Sequence, residues 1–182
     1  FAGPYGGPLA EAQYAQSRAM ALAFGIRNVI KYEMKTQAQV DNGRSLNRQA
    51  VADGKPTVLV EIGQNGQRDE ASIATLTSGL ENLLKTLKMA PGTPAPPRAD
   101  TRWFGDSAEA SATTTGIFTP VATTGRAVKK GDLIGTVTNY AGKEIERIVS
   151  PVDGYIMYGL AGPPVRAGEA VVTIGIPAAT PR

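Results

Sequence analysis

Residues Pro56 to Leu76 read PTVLVEIGQNGQRDEASIATL, and the reading of this stretch decides the fold. Thr57-Val58-Leu59-Val60 is a short apolar run rich in β-branched residues, the signature of a strand. It ends in a carboxylate, Glu61, and passes into a Gly- and Asn-rich turn, Gly63 to Gly66. Asp69 then opens a long amphipathic segment. Ile73, Leu76, Leu80, Leu83, Leu84 and Leu87 recur there at spacings of three and four, one apolar stripe of a helix extending to Met89. The order is strand, loop, helix, and the continuous apolar run predicts a strand buried on both faces. Ligands of open α/β sheets gather beyond the carboxyl ends of the strands, which is where Glu61 falls. A carboxylate in that position is a candidate general base. It can equally cap the following helix or pair with Arg68.

Upstream, residues 1–8 (FAGPYGGP) read as a loop. Leu9 to Phe24 is Ala-rich with helical spacing, Pro8 suits its first turn and Gly25 its C-cap. Ile26 to Tyr32 reads as a short strand and 33–43 as a polar, mobile loop. Ser45 is an N-cap for a short helix stopped by Gly54. The first 90 residues thus alternate helix, strand, helix, strand, helix, which predicts a parallel or mostly parallel sheet covered by helices. Two strands do not make a stable sheet. The remaining strands are therefore expected N-terminal to Phe1 or from a partner chain, which agrees with residue 1 being Phe rather than Met.

Downstream, residues 90–100 (APGTPAPPRAD) hold four prolines and read as a stiff linker. The expected division is 1–90 as part of an α/β domain, 91–112 as linker and 113–182 as a small all-β domain. In the last region Gly125 to Ile134 and Gly162 to Val171 share the pattern G-x-x-V-x-x-G-[DE]-x-[IV], with a Gly-acid pair that is turn chemistry. Ser150-Pro151-Val152-Asp153-Gly154 marks another tight turn. This repeat resembles the small β-sandwich of biotinyl and lipoyl carrier domains. Lys143 falls where such carriers hold their modified lysine, but its neighbours Gly142 and Glu144 are not the flanking methionines of a biotinyl site, and a solvated hairpin lysine is the simpler reading.

Composition narrows the classes. The chain has 182 residues, 19 basic against 16 acidic, and no run of like charge that suggests nucleic acid. No apolar run reaches the roughly 18 residues of a membrane span. The absence of cysteine removes disulfides and fits a cytoplasmic protein. With neither His nor Cys, no ordinary zinc site can be built from this chain alone.

Residues 54–89 and 147–175 together resemble the succinylglutamate desuccinylase/aspartoacylase family, related to the zinc carboxypeptidases. The string V-E-x-G-x-N-G-x-x-D-E over Val60 to Glu70 is the more specific part. The resemblance implies the C-terminal portion of a carboxypeptidase-like, helix-covered sheet followed by a small β-sandwich that closes over the substrate. It implies zinc-dependent hydrolysis of the amide bond of an N-acyl amino acid, with Glu61 as general base. The zinc ligands, His-x-x-Glu and a second His, are then expected N-terminal to Phe1, with none in this chain. Substrate carboxylates call for arginine, and Arg44 and Arg48 are the candidates. Tyr155, with Tyr158 as the alternative, is the candidate from the β domain. The implied partner is a small N-acyl amino acid, without nucleic acid or membrane, and a homo-oligomer is compatible with the sequence. The alternative is a non-catalytic ligand-binding or carrier-like module, and a third reading is a relative that binds an acidic ligand without metal.

Overall fold

The computed structural model describes residues 2–64 and 66–179. The chain forms two compact units that divide between Trp103 and Phe104. In the first, β1 (Ala2–Gly6) leads into α1 (Glu11–Ala23), β2 (Asn28–Ile30), β3 (Tyr32–Glu33), α2 (Gln37–Asp41), α3 (Leu46–Ala52), β4 (Val58–Val60) and α4 (Glu70–Thr86). The expected linker, 91–112, is irregular to Thr101 and then becomes β5 (Arg102–Ser111).

The residues expected as an N-terminal loop form the central strand. β1 is buried throughout. It pairs in parallel with β2 and β3, through Ala2↔Val29 and Tyr5↔Tyr32. On its other side it pairs antiparallel with β4, through Ala2↔Val60 and Pro4↔Val58. Glycine and proline content argued against a strand, but tertiary packing overrides that local preference. Tyr32 lies against Gly3 and Tyr14 against Gly6, and a side chain at either glycine would strike the ring. Among these pairings the sheet is therefore mostly parallel, as expected, with β4 as its antiparallel strand. β4, expected to be buried on both faces, is half-buried along its length.

Two sets of contacts define the faces of this sheet. Ala2, Val29, Val58 and Val60 pack with Ala21 and Leu22 of α1 and with Trp103. Side chains alternate along a strand, so the intervening residues face away from α1. Tyr5 and Tyr32 meet there in a stacked pair, 5.1 Å between ring centroids. The Thr57 amide donates to Ser17 Oγ at 3.1 Å, which ties β4 to α1 where its pairing begins.

Some helix signals act as expected and others do not. Ser45 stands at the N-cap of α3 but its side chain makes no capping hydrogen bond, and α1 begins at Glu11 after an uncapped Ala10, beyond Pro8. Asp69 caps α4, accepting from the Ala71 and Ser72 amides at 3.3 and 3.0 Å. Gly25 and Gly54 follow α1 and α3 at positive φ. The segment expected as a mobile loop contains α2, which closes a reciprocal capping box between Thr36 and Gln39. Only part of the α4 stripe is covered. Leu83 packs with Ala23 and Phe24, whereas Ile73, Leu76 and Leu80 are exposed. Gly79 is where α4 crosses Phe24, and a Cβ there would sit 2.5 Å from the Phe24 ring and 2.7 Å from its carbonyl. Gly79→Ala is expected to destabilise the first unit by about 1–3 kcal/mol through overpacking. Urea unfolding of the variant, followed by circular dichroism, checks this, and an unchanged midpoint would contradict the helix contact. Asn82 ties the proline-rich segment to α1, accepting from the Ala95 amide at 2.7 Å and donating to the Ala23 carbonyl at 2.6 Å.

The second unit is all β. After β5 come β6 (Gly116–Pro120), β7 (Ala127–Val128), β8 (Leu133–Thr138), β9 (Glu144–Val149), β10 (Gly154–Gly159), β11 (Pro164–Val165) and β12 (Ala170–Ala178). One layer runs β5-β12-β10-β7 and the other β11-β6-β8-β9. Phe118, Ile134, Val137, Ile148, Ile156 and Ile174 fill the core between them. The sequence repeat becomes a structural one. The Lys129 amide donates to Asp132 and the Arg166 amide to Glu169, each at 2.9 Å. Gly131 and Gly168 both take positive φ, which glycine adopts without penalty. Val128 and Val165 both point into the core.

The turn at Thr113 and Thr114 is held by one carboxylate. Glu146 accepts from both amides and, at 2.7 Å, from the Thr114 hydroxyl. Burial raises the Glu146 pKa, but these donors outweigh it and hold the carboxyl below its ordinary value of 4.5. A depressed folded pKa contributes stability that is complete above about 4.5 and is lost as pH falls through the folded value. The Tm difference between the wild type and Glu146→Gln is expected to be largest near neutrality and to shrink below about pH 4.5. A difference that stays constant with pH would remove this carboxylate from the linkage.

Candidate functional site

Glu61 directly follows β4 and is exposed. Because Val60 pairs with Ala2, Glu61 lies beyond the first residue of β1. The loop after it turns at Gly63 and Gly66, both at positive φ, and closes through a 2.9 Å bond from the Gln67 amide to the Gln64 carbonyl. This loop delivers the chain to the Asp69 cap of α4. The two structural roles open to Glu61 on sequence are taken by other residues. Asp69 caps the helix, and Arg68 pairs with Glu70 at 2.9 Å. The Asp69 carboxyl is held below its usual range by the Ser72 hydroxyl and the Ser72 and Ala71 amides.

Arg48 lies in α3 and Arg44 two residues before that helix, both exposed. α3 is anchored at the far end of β1. Asn47 donates to the Tyr5 hydroxyl at 2.7 Å, and Val51 packs with Tyr5, Ala10 and Met34. The structure therefore sets α3 and Glu61 toward opposite ends of the same strand. Tyr155 lies on β10 in the all-β unit, half-buried, with its ring edge-on to Phe104 at 5.9 Å between centroids. Tyr158 follows a shift of register between β10 and β12 and is more exposed. Lys143 sits in the turn joining β8 to β9, its amide donating to Asn139 Oδ1 at 3.0 Å, which is the solvated hairpin position.

The side chains present do not fit a zinc ion. The chain has no His and no Cys, and among the described residues no three of His, Cys, Asp and Glu gather into a cluster. Any zinc needs ligands from outside these residues. No helix is long and apolar enough to cross a membrane among the described residues. One buried polar group escaped the sequence reading. Asn28, at the start of β2, has a buried side-chain oxygen without a hydrogen-bond partner. Nothing in the pattern IRNVIKY distinguishes it.

No family model and no curated protein matches the sequence. Solved structures do. A succinylglutamate desuccinylase/aspartoacylase from Rhodobacter sphaeroides superposes with a TM-score of 0.80 at 22% identity, over 98% of this chain and 54% of its own. The product-bound ectoine utilization protein of Ruegeria pomeroyi gives 0.83 at 20% identity, over 97% and 53%. A succinylglutamate desuccinylase from Silicibacter sp. TM1040 gives 0.77 at 19%, over 98% and 53%. The chain spans about half the length of each of these structures. It has the fold of the succinylglutamate desuccinylase/aspartoacylase structures over that part of their length.

Proposed function

We propose that this chain belongs to a hydrolase that cleaves the amide bond of an N-acyl amino acid, with Glu61 as its general base. The observation that carries the reading is the position of Glu61. It stands at the carboxyl end of β4, at the mouth of a glycine-bracketed loop, in a fold shared with deacylase structures over nearly the whole chain. Glu61 takes a proton from a water whose oxygen attacks the acyl carbonyl carbon. It returns that proton to the nitrogen as the C–N bond breaks, giving a carboxylic acid and a free amine and restoring the carboxylate. Zinc would enter this reading only as an ion held by ligands outside these residues, where it would supply Lewis acidity. The lack of cysteine supports a cytoplasmic setting. The partner is a small N-acyl amino acid. Release of a primary amine from N-acetylaspartate or N-succinylglutamate, set against Glu61→Gln, tests the reading.

A further inference from the structure

Ile73, Leu76 and Leu80 are the uncovered part of the α4 stripe, 41%, 36% and 51% exposed. Leu83, on the same stripe, is closed over by Ala23 and Phe24. The packing of α1 shows what lies beside the open part. Ser17, Met20 and Phe24 stand at helical spacing on one flank of α1. Ser17 accepts from the Thr57 amide just before β4, while Met20 and Phe24 belong to the cluster around Leu83 of α4. Arg18 and Leu22 mark the other flank, where both meet Trp103. α4 therefore lies beside α1 on the β4 side of the sheet. Packed helices stand roughly 8–10 Å apart and strands about 4.8 Å, so α4 stands over the ground beyond β4 where one or two further strands would run.

β4 is open on that side. Among the described residues it pairs only with β1. A strand paired on one side leaves a row of N–H and C=O groups unmatched, and free edges in stable folds are commonly guarded by charge or proline. Val58-Leu59-Val60 has neither, and all three residues are half-buried. An unguarded apolar edge and an uncovered apolar helix face thus adjoin one another.

We propose that the outer edge of β4 and the exposed stripe of α4 are one docking surface, which receives a strand added to β4 and buries Ile73, Leu76 and Leu80 against it. The occupant is the other half of the fold. The superposed structures continue for nearly as much chain again as this chain matches, with 54% and 53% of their lengths covered here. A sheet continued past β4 needs a helical cover with an apolar face, and α4 already supplies it. The assignment does not depend on the role of Glu61.

The test uses the full-length protein that carries this chain and compares Leu80→Asp with Ser78→Asp. Ser78 is exposed on the opposite face of the same helix, so both variants add the same charge to α4. Leu80→Asp is expected to lower Tm by about 3–12 °C, the loss of one buried Leu side chain, and Ser78→Asp to change it by less than about 2 °C. A Leu80→Asp variant with the wild-type Tm would overturn the proposal. Hydrogen exchange of the wild type, read residue by residue, decides the matter even where Leu80→Asp does not fold. Slow exchange is expected at Val58, Leu59 and Val60 alike, and fast exchange at alternate amides would mean an open edge and overturn the proposal. A wild type that elutes at twice its chain mass and is halved by Leu80→Asp would give the surface to a second copy of the chain, which also overturns it.

Discussion

Glu61→Gln is expected to lower turnover of an N-acyl amino acid by about 10²–10⁴-fold, the usual contribution of a positioned general base. The substitution keeps size and hydrogen-bonding capacity but removes the ability to take a proton. Glu61 is exposed and lies outside the regular pairing of β4, and neither the α4 cap nor the Arg68 ion pair uses it. kcat should fall. KM should change little, because the lost interaction acts in the transition state. A variant with near-normal kcat would remove Glu61 from the chemistry. A variant with lost activity and a lowered Tm would make it a structural residue.

Phe104→Ala is expected to cost the all-β unit about 3–5 kcal/mol, the range for emptying a buried aromatic site. Phe104 is 1% exposed, its ring meets Tyr155 edge-on, and Gly175 approaches so closely that a Cβ there would stand 2.8 Å from the ring. Tyr155 would lose its edge-on contact with that ring. Denaturant unfolding of the variant measures the loss. A change below about 1 kcal/mol would mean that the site collapses or that the aromatic pair contributes nothing beyond area.

Much of this architecture was legible in the sequence for identifiable reasons. The α1 and α4 helices carry their own stop and start signals, Gly25 and Asp69, which act within one turn and need no tertiary information. The repeated V-x-x-G-[DE] turns were legible because both hydrogen bonds close within four residues. What escaped depends on distant partners. Ala2–Gly6 contains two glycines and a proline, and becomes a central strand only because Val29, Tyr32 and Val60 pair with it from both sides. The direction of β4 relative to β1 is likewise a property of the pairing. Within the candidate site, Glu61 could be identified from its own stretch, since strand, carboxylate and glycine turn are contiguous. The distance of α3 from Glu61 could not, because it follows from Asn47 meeting Tyr5, 42 residues away. Asn28 was invisible for the same reason.

The most direct measurement is the release of free amine from N-succinylglutamate and N-acetylaspartate by the purified full-length protein carrying this chain, followed by mass spectrometry of both products. The account predicts equimolar carboxylic acid and amino acid from at least one of them, abolished by Glu61→Gln. Intact substrate after prolonged incubation with folded, zinc-supplemented protein would contradict it.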